Sequence, residues 1–481
     1  MASIHGAGAL SIRRPGAFLF TFASLAFAPG CVQPPASLVG RDGSVPIDGS
    51  GLDEPEIDAS GFELLGAPLI FTPTAQGFGL SVVLRQGHPA ALRARVRDER
   101  HADWGPLGAP TKLESDVAEW SITDLESGQR YAYEICVGGD ACDRSLYVGS
   151  AITARPPGST FTFAAMADTH IELRDPIPPG STVGPEPYSY MESTLRAVTA
   201  DIAVAKPDFI VNMGDLLDYH LFGFNDPPPD SAWARLAYLN YRRMMGDTIG
   251  RAAHFPVIGN WDGENGCNTE EQRQRSLSQR LRYLPAPAPG TYPESGSANQ
   301  DYYAFRWGDA LFIVLNVMTY TEGCHLLGTN PGLPDDWTLG AAQLAWLEQT
   351  LASATAKWRF TFIHHTVGGN AGNPIDSAYG RGGGRAAGVG EQAIVHGLLM
   401  RHGVQIFFYA HDHVFTDMVV DGIHYTLPGS AGAPWKFTEF ETGYTTYWPD
   451  SGYGRVTVSP DSVQVDFVAM GGGVIASYSL P

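Results

Sequence analysis

Residues 161–170, FTFAAMADTH, combine a short apolar run with two polar side chains that can bind metal ions. The run from Phe161 to Ala167 has the length of a strand, and its continuous apolar character is typical of a strand buried on both faces. Asp168 and His170 follow it directly. The stretch therefore predicts an internal strand with candidate site residues at its carboxyl end.

Similar apolar runs alternate with helical patterns along the rest of the chain. Helical periodicity covers 191–205, 343–356 and 392–402. This alternation predicts an α/β domain built in layers, and the late apolar runs 456–458 and 463–468 indicate an antiparallel edge or a second sheet. The predicted strands are Phe161–Ala167, Phe209–Met213, His254–Ile258, Ala310–Val317, Trp358–Ile363 and Val404–Tyr409.

Polar residues follow five of these strands at the point where each strand ends. Sites in α/β sheets form beyond the carboxyl ends of the strands, so we expect these residues to meet at one rim. A single strand-end histidine is more often a structural residue than a ligand, but the ordered set is much more specific. The residues are Asp168, His170, Asp215, Asn260, His364, His365, His411 and His413.

These residues resemble the five-block signature of calcineurin-like metallophosphoesterases. The family's blocks D-x-H, G-D-x-x-D, G-N-H-D/E, H-x-P and G-H-x-H correspond here to 168–170, 214–218, 259–262, 364–366 and 410–413. The resemblance implies a four-layer α/β sandwich, a dinuclear metal site and hydrolysis of phosphoesters.

The resemblance also implies a role for each residue. Asp215 would bridge two transition-metal ions, and a hydroxide that bridges them would attack the phosphorus atom. Mixed nitrogen and oxygen ligands suit iron, zinc, manganese or cobalt and do not select among them. One ion would be completed by Asp168, His170 and His413, and the other by Asn260, His364 and His411.

Three positions depart from the family pattern. Trp261 stands where the family has a histidine that contacts the phosphate or protonates the leaving group, and an indole cannot act as a general acid. Thr366 replaces the proline of the fourth block, so both His364 and His365 are candidate ligands, with His364 favoured by its alignment. Ala410 replaces a glycine.

Other side chains are candidates for substrate contacts. His220 or His365 could supply the missing acid, and each is equally well explained as a solvated or ligand-supporting residue. A glycine-rich stretch contains Arg381 and Arg385, which could clamp a phosphate; a flexible surface loop is the favoured interpretation. Asp218 occupies the place of the tyrosine ligand of purple acid phosphatases, so the protein is expected not to be purple.

The N-terminal segment is typical of an exported protein. In residues 1–31, Arg13 and Arg14 precede an apolar run that is too short to span a membrane. Cys31 ends a stretch that resembles a bacterial lipoprotein cleavage box, which predicts a lipid anchor in a membrane surface; a soluble signal peptide is the alternative. We expect a periplasmic or an outer-membrane or cell-surface lipoprotein. Residues 32–58 are rich in Pro, Gly, Ser and Asp, which predicts a flexible linker.

A β-sandwich is predicted between this linker and the catalytic domain. Residues 59–156 contain short apolar runs separated by polar turns. The stretch 124–133 resembles the entry to the sixth strand of fibronectin type III domains, which carries a corner tyrosine. Enzymes that resemble purple acid phosphatases often carry such a domain in front of the catalytic one, which here would cover 157–481.

Four cysteines remain besides Cys31, an even number that favours disulfides in an exported protein. Cys136 and Cys142 flank a Gly-Gly-Asp turn, which suits a disulfide that closes a hairpin. Cys267 and Cys324 would then pair by elimination within the catalytic domain. Free buried thiols are the alternative.

The net charge of the chain limits the kinds of molecule that it is expected to bind. The formal net charge of −20 argues against nucleic acid. A small phosphorylated substrate is compatible with it, because bound cations can set the local field. The alternative function is that of a surface-anchored binding protein with a degenerate phosphatase fold. Trp261 and the sandwich domain favour that alternative, and the retention of every type of metal ligand opposes it.

Overall fold

The computed structural model describes most of the chain from Gly61 to the C terminus. The described residues are 61–139, 141–171, 186–218, 231–264, 269–320, 337–367, 391–433, 436, 444 and 446–481. The predicted signal peptide, lipid anchor and linker therefore lie outside the described residues. The same holds for His220, Cys267, Cys324, Arg381 and Arg385.

The first eight strands form two antiparallel sheets, as the short apolar runs predict. One sheet has the order β1-β3-β6-β5 with β2 beside β3, and the other has the order β4-β7-β8. The strands are β1 (Glu63–Leu64), β2 (Leu69–Thr74), β3 (Gly77–Gln86), β4 (Leu92–Asp98), β5 (Lys112–Glu114), β6 (Val117–Ile122), β7 (Arg130–Val137) and β8 (Arg144–Ile152).

Tyr131, at the start of β7, folds back on the turn that precedes it. The backbone N–H of Glu126 donates to the Tyr131 hydroxyl at 2.9 Å. A corner tyrosine of this kind bonds the backbone a few residues upstream. The fibronectin-like type of the sandwich stays a prediction.

The disulfide predicted between Cys136 and Cys142 is not present in the structure, where both residues are free thiols. The hairpin of β7 and β8 nevertheless brings them together. Burial, followed by a hydrogen bond with Cys142, raises the pKa of the Cys136 thiol.

The strand Phe161–Met166 lies inside a six-stranded mixed sheet, as its apolar run predicts. β9 to β11 run parallel, and the three last strands of the chain extend the sheet in antiparallel fashion in the order β11-β10-β9-β18-β19-β20. The strands are β9 (Phe161–Met166), β10 (Phe209–Asn212), β11 (Ala253–Pro256), β18 (Gly452–Val458), β19 (Val463–Ala469) and β20 (Val474–Leu480).

A second six-stranded sheet faces the first. Its order is β12-β13-β14-β15-β17-β16, with β13, β14, β15 and β17 parallel. The strands are β12 (Tyr303–Trp307), β13 (Ala310–Val314), β14 (Trp358–Phe362), β15 (Ile406–Phe408), β16 (Phe415–Val420) and β17 (Ile423–Pro428).

Helices cover the outer face of each sheet. The predicted helices near 191–205, 343–356 and 392–402 are present, whereas α2 and α3 were not predicted. α3 has the sequence EEQRQRSLSQRLRY, in which the few apolar residues give no recognisable helical pattern among the many charged ones. The described helices do not include one long and apolar enough to cross a membrane. They are α1 (Glu186–Ala205), α2 (Ser231–Met245), α3 (Glu270–Tyr283), α4 (Gly340–Ser353) and α5 (Glu391–Arg401).

The space between the two sheets is filled mainly by aromatic rings. Phe163 of the first sheet stacks on Phe209 at 5.2 Å and meets Phe312 of the second sheet edge-on at 5.3 Å between ring centroids. Phe362 and Phe408 stack at 4.8 Å within the second sheet. Such pairs add about 0.5–1.5 kcal/mol each beyond the buried area. This core confirms the predicted four-layer α/β architecture and fixes the carboxyl ends of both sheets at one rim.

The sandwich and the catalytic domain belong to one compact unit. Asp116, before β6, pairs with Arg235 of α2 and with Arg282 of α3. The fully buried guanidinium of Arg242 donates to the Ser81 carbonyl at 2.5 Å and to the Tyr283 carbonyl at 3.3 Å. The sandwich is therefore packed against the helices that cover the first sheet.

We expect Arg242→Ala to lower the free energy of unfolding by about 2–5 kcal/mol, because it leaves a cavity and two buried carbonyls without their donor. Chemical denaturation monitored by circular dichroism measures this. Arg243→Ala is the matched control, since Arg243 is partly exposed and bonds Asn240 of its own helix; it should cost less than about 1 kcal/mol. Equal losses in the two variants would contradict the described interface.

Candidate metal centre

The loops that follow β9 and β10 are joined by backbone hydrogen bonds. Asp168 N–H donates to the Gly214 carbonyl at 3.0 Å, and His170 N–H donates to the Asp215 carbonyl at 2.9 Å. Gly259, in the loop after β11, packs against the loop that carries Asp215. A Cβ at Gly259 would lie 2.1 Å from the backbone nitrogen of Asp215. The glycines of the second and third blocks are thus required because these loops meet backbone to backbone.

Four side chains from three loops form the first group. Asp168, His170, Asp215 and His413 each bring one ligand atom to within 4.8 Å of the others, and all four are buried. The Nε2 atoms of His170 and His413 are 3.2 Å apart. Asp215 Oδ2 is 3.5 Å from His170 Nε2, and Asp168 Oδ1 is 3.5 Å from His413 Nε2.

The second group shares Asp215 with the first. Asp215, His364 and His411 satisfy the same distance condition. His364 Nε2 is 3.2 Å from Asp215 Oδ2. The side-chain oxygen of Asn260 lies between the two histidines, 3.0 Å from His364 Nε2 and 2.9 Å from His411 Nδ1. The amide of Asn260 thus adds a neutral oxygen to this group.

Backbone strain is concentrated at these positions. Among the described residues, five of the predicted ligands have a positive φ although none is glycine. For residues other than glycine, a positive φ costs about 1–3 kcal/mol. Such residues cluster at functional sites. The five are Asp168 (φ 54°), His170 (φ 42°), Asp215 (φ 49°), His411 (φ 79°) and His413 (φ 59°).

A backbone carbonyl orients one of the histidines, and a carboxylate lies near a second. His364 Nδ1 donates to the Met213 carbonyl at 2.8 Å, so Nε2 is the ring nitrogen that faces Asp215. A hydrogen-bonded partner of this kind fixes the ring orientation of a histidine ligand. His170 Nδ1 is 3.7 Å from Asp218 Oδ2, a proximity that the second block alone did not assign.

The buried charges act strongly on one another. Burial lowers the pKa of His364, but the carboxylates of Asp215 and Asp168 outweigh it and raise that pKa to about 9. Burial raises the pKa of Asp168, yet the neighbouring histidines, led by His413, hold it below its usual value. Burial raises the pKa of Asp262 to about 7, with the Asp215 carboxylate adding to the effect.

The arrangement fits two cations. Within the described residues, Oδ2 of Asp168 and Oδ2 of Asp215 are buried and accept no hydrogen bond, which costs free energy unless a cation occupies the space beside them. Two ligand atoms about 2.1 Å from one cation at tetrahedral angles lie about 3.4 Å apart. The separations of 2.9–3.5 Å in both groups are close to that value.

The two neighbouring histidines of the fourth block take different positions. His364 places Nε2 beside Asp215. His365 turns Nδ1 to the Thr366 carbonyl at 3.0 Å, and its ring lies 4.9 Å from Trp337 and 4.6 Å from His411. The geometry therefore favours His364 as the ligand and leaves His365 at the edge of the second group.

Trp261 lies at the edge of the first group. Its backbone N–H donates to Asp215 Oδ1 at 2.8 Å, and its ring is 5.7 Å from the His170 ring in an edge-on arrangement. The side chain is partly exposed. The indole ring thus lines the site next to His170.

Several supporting contacts lack a clear sequence signal. Asp262 accepts hydrogen bonds from the N–H groups of Gly259 at 2.8 Å and Leu217 at 3.0 Å, which joins the second and third blocks. The Tyr444 hydroxyl donates to Asp412, between the two histidines of the last block, at 2.6 Å. Lys436, outside every block, donates to the carbonyl of Ala433, whose N–H donates to the Asp168 carbonyl. The partners of Asp262 and Asp412 depend on the fold and do not appear in the motifs.

Comparison with known proteins identifies the family. Residues 161–415 match the model of the calcineurin-like phosphoesterase family. The match covers more than half of the chain, and this protein belongs to that family. It is a phosphoesterase, and its activity is metal-dependent hydrolysis of phosphoesters. Family membership opposes the alternative of a binding protein.

The solved structure of PhoD supports the fold. The structure of PhoD is similar with a TM-score of 0.63 and 16% identity over 88% of this chain and 91% of PhoD. A dimetal phosphatase from Danio rerio is similar with a TM-score of 0.42 and 14% identity, over 66% of this chain and 98% of that one. No curated protein sequence matches this chain. The likeness to PhoD extends beyond the catalytic domain into the sandwich.

We expect His364→Ala and His365→Ala to differ in bound metal. The first removes a ring nitrogen that faces Asp215, so the purified variant should lose at least one equivalent of metal, measured by inductively coupled plasma mass spectrometry. The second should retain the metal content of the wild type. Normal metal content in His364→Ala, or loss in His365→Ala alone, would reverse the assignment of the ligand.

Proposed function

We propose that the enzyme hydrolyses phosphoesters at a dinuclear centre bridged by Asp215, with Asp168, His170 and His413 on one cation and Asn260, His364 and His411 on the other. The observation that supports this most strongly is that Asp215 belongs to both groups of converging ligand atoms. Its Oδ2 is 3.5 Å from His170 Nε2 and 3.2 Å from His364 Nε2. Mixed nitrogen and oxygen ligands favour iron, zinc or manganese.

Two bound cations would activate a water nucleophile and neutralise the charge that develops on the phosphoryl oxygens. The protein holds its own groups in place for this chemistry. The Met213 carbonyl orients His364, Asp218 lies 3.7 Å from His170, and the backbone N–H of Trp261 donates to the second carboxylate oxygen of Asp215. The ligand side chains are therefore oriented before any substrate arrives, and little reorganisation is needed during the reaction.

The leaving group is expected to depart near Trp261 or His365. Trp261 offers an apolar wall beside His170, whereas His365 and His220 are the candidate acids, His220 lying outside the described residues. An enzyme without a general acid depends on substrates whose leaving groups have a low pKa. We propose that Trp261 shifts the enzyme toward such substrates.

The substrate is proposed to be a small phosphorylated molecule. The net charge of −20 supports this over nucleic acid. The signal-like residues 1–31 support export, and Cys31 supports a lipid anchor in a membrane surface. Action outside the cytoplasm, as a periplasmic or surface lipoprotein, is part of the same proposal.

Asp215→Asn should reduce bound metal and remove nearly all activity, because a neutral amide cannot balance two cations. Metal analysis and turnover of a chromogenic phosphate ester measure both effects. Asp466→Asn is a suitable control, since Asp466 lies on β19 and pairs with Arg455. Full metal content with normal turnover in Asp215→Asn would contradict the assignment.

Trp261→His should raise the hydrolysis of alkyl phosphates more than that of nitrophenyl phosphate. A general acid contributes about 10²–10⁴-fold, mostly for poor leaving groups. The wild type should accordingly show a steep dependence of rate on leaving-group pKa across a series of esters. A flat dependence in the wild type that disappears in His365→Ala or His220→Ala would assign the acid to that histidine and contradict the role given to Trp261.

A further inference from the structure

Lys436 follows a segment that wraps around Asp168. After β17, the N–H groups of Gly432 and Ala433 both donate to the Asp168 carbonyl, at 3.1 and 2.9 Å. The Ser430 hydroxyl donates to the same carbonyl at 3.2 Å. The Lys436 ammonium then folds back and donates to the Ala433 carbonyl at 3.3 Å. Ala433 therefore contacts both the ammonium of Lys436 and the backbone of Asp168, a proposed metal ligand.

Within the described residues, the hydrogen-bond partners of this ammonium are neutral. Its second contact is the Ser451 hydroxyl at 3.1 Å. Within the described residues no carboxylate lies within ion-pair distance of it, while an ammonium has three N–H donors. Lys436 is thus a partly buried cation with donor capacity left over after its two neutral partners.

Backbone contacts place this charge close to Asp168. The Ala433 carbonyl accepts from the ammonium, and the N–H of the same residue donates to the Asp168 carbonyl. Burial lowers the pKa of Lys436 to about 8, against the opposing effect of the carboxylates of Asp168 and Asp450. The ammonium therefore lies beside the segment that carries the first of the proposed ligands.

A partly desolvated cation without a carboxylate partner has an unfavourable free energy that an arriving anion can offset. An ammonium acts as a point charge toward phosphate oxygens and gains more from a dianion than from a monoanion. A phosphomonoester is a dianion near neutral pH, and a phosphodiester is a monoanion.

We propose that Lys436 binds a non-bridging oxygen of the substrate phosphate and gives the enzyme a preference for phosphomonoesters over phosphodiesters. This inference rests on the proposed function. Lys436 supplies a cation beside the first group of ligands, the same group whose rim carries Trp261 in place of a histidine.

The test compares Lys436→Met, which keeps the length of the side chain without its charge, with Lys436→Arg and with Lys357→Met. Lys357 is an exposed lysine beside Asp461 and serves as the control. For each metal-loaded variant, kcat/KM is measured with nitrophenyl phosphate and with bis(nitrophenyl) phosphate, together with inhibition by inorganic phosphate.

Lys436→Met should lower kcat/KM for the monoester about 10- to 100-fold, and for the diester less than about 3-fold, as expected for the loss of a charge-assisted hydrogen bond. The inhibition constant of inorganic phosphate should rise in parallel, metal content should stay unchanged, and Lys436→Arg should recover much of the monoester activity. Equal losses for both esters, or unchanged inhibition by phosphate, would overturn the proposal. A wild-type enzyme that hydrolyses neither ester would instead contradict the proposed function.

Discussion

The site depends on the carboxylate of Asp215, which lies between two groups of ring nitrogens. Its Oδ2 faces His170 and His364, and its Oδ1 accepts a hydrogen bond from the backbone N–H of Trp261. A buried carboxylate oxygen without a hydrogen bond has an unfavourable free energy unless a positive charge adjoins it. Histidines and a second carboxylate converge on the same place. Bound cations would therefore stabilise these buried groups.

The rest of the catalytic domain holds this carboxylate in position. Parallel strands from two sheets end at one rim, and the aromatic core between the sheets fixes the distance between those ends. Gly214 and Gly259 let the loops approach backbone to backbone, where any side chain would clash. The left-handed backbone at Asp215 and its neighbours is tolerated because hydrogen bonds between the loops determine it.

Much of this arrangement could be predicted from the sequence, because strand-end motifs are local. The apolar run 161–167 and its successors indicated the sheets, and the order of the blocks indicated which side chains meet. The helix α3 escaped prediction because its buried face is made of few apolar residues among many charged ones. Count and spacing favoured a disulfide between Cys136 and Cys142, whereas both are free thiols in the structure.

Residues that act through tertiary contacts were beyond the reach of motif reasoning. Lys436 approaches the site from a segment after the last block, and Asp412 gains its partner from Tyr444. The central claim is that one carboxylate serves two cations. The most direct measurement is anomalous X-ray scattering from crystals of the metal-loaded protein. We expect two peaks about 3.5–4 Å apart with Asp215 bonded to both. A single peak, or two peaks without Asp215 between them, would contradict the account.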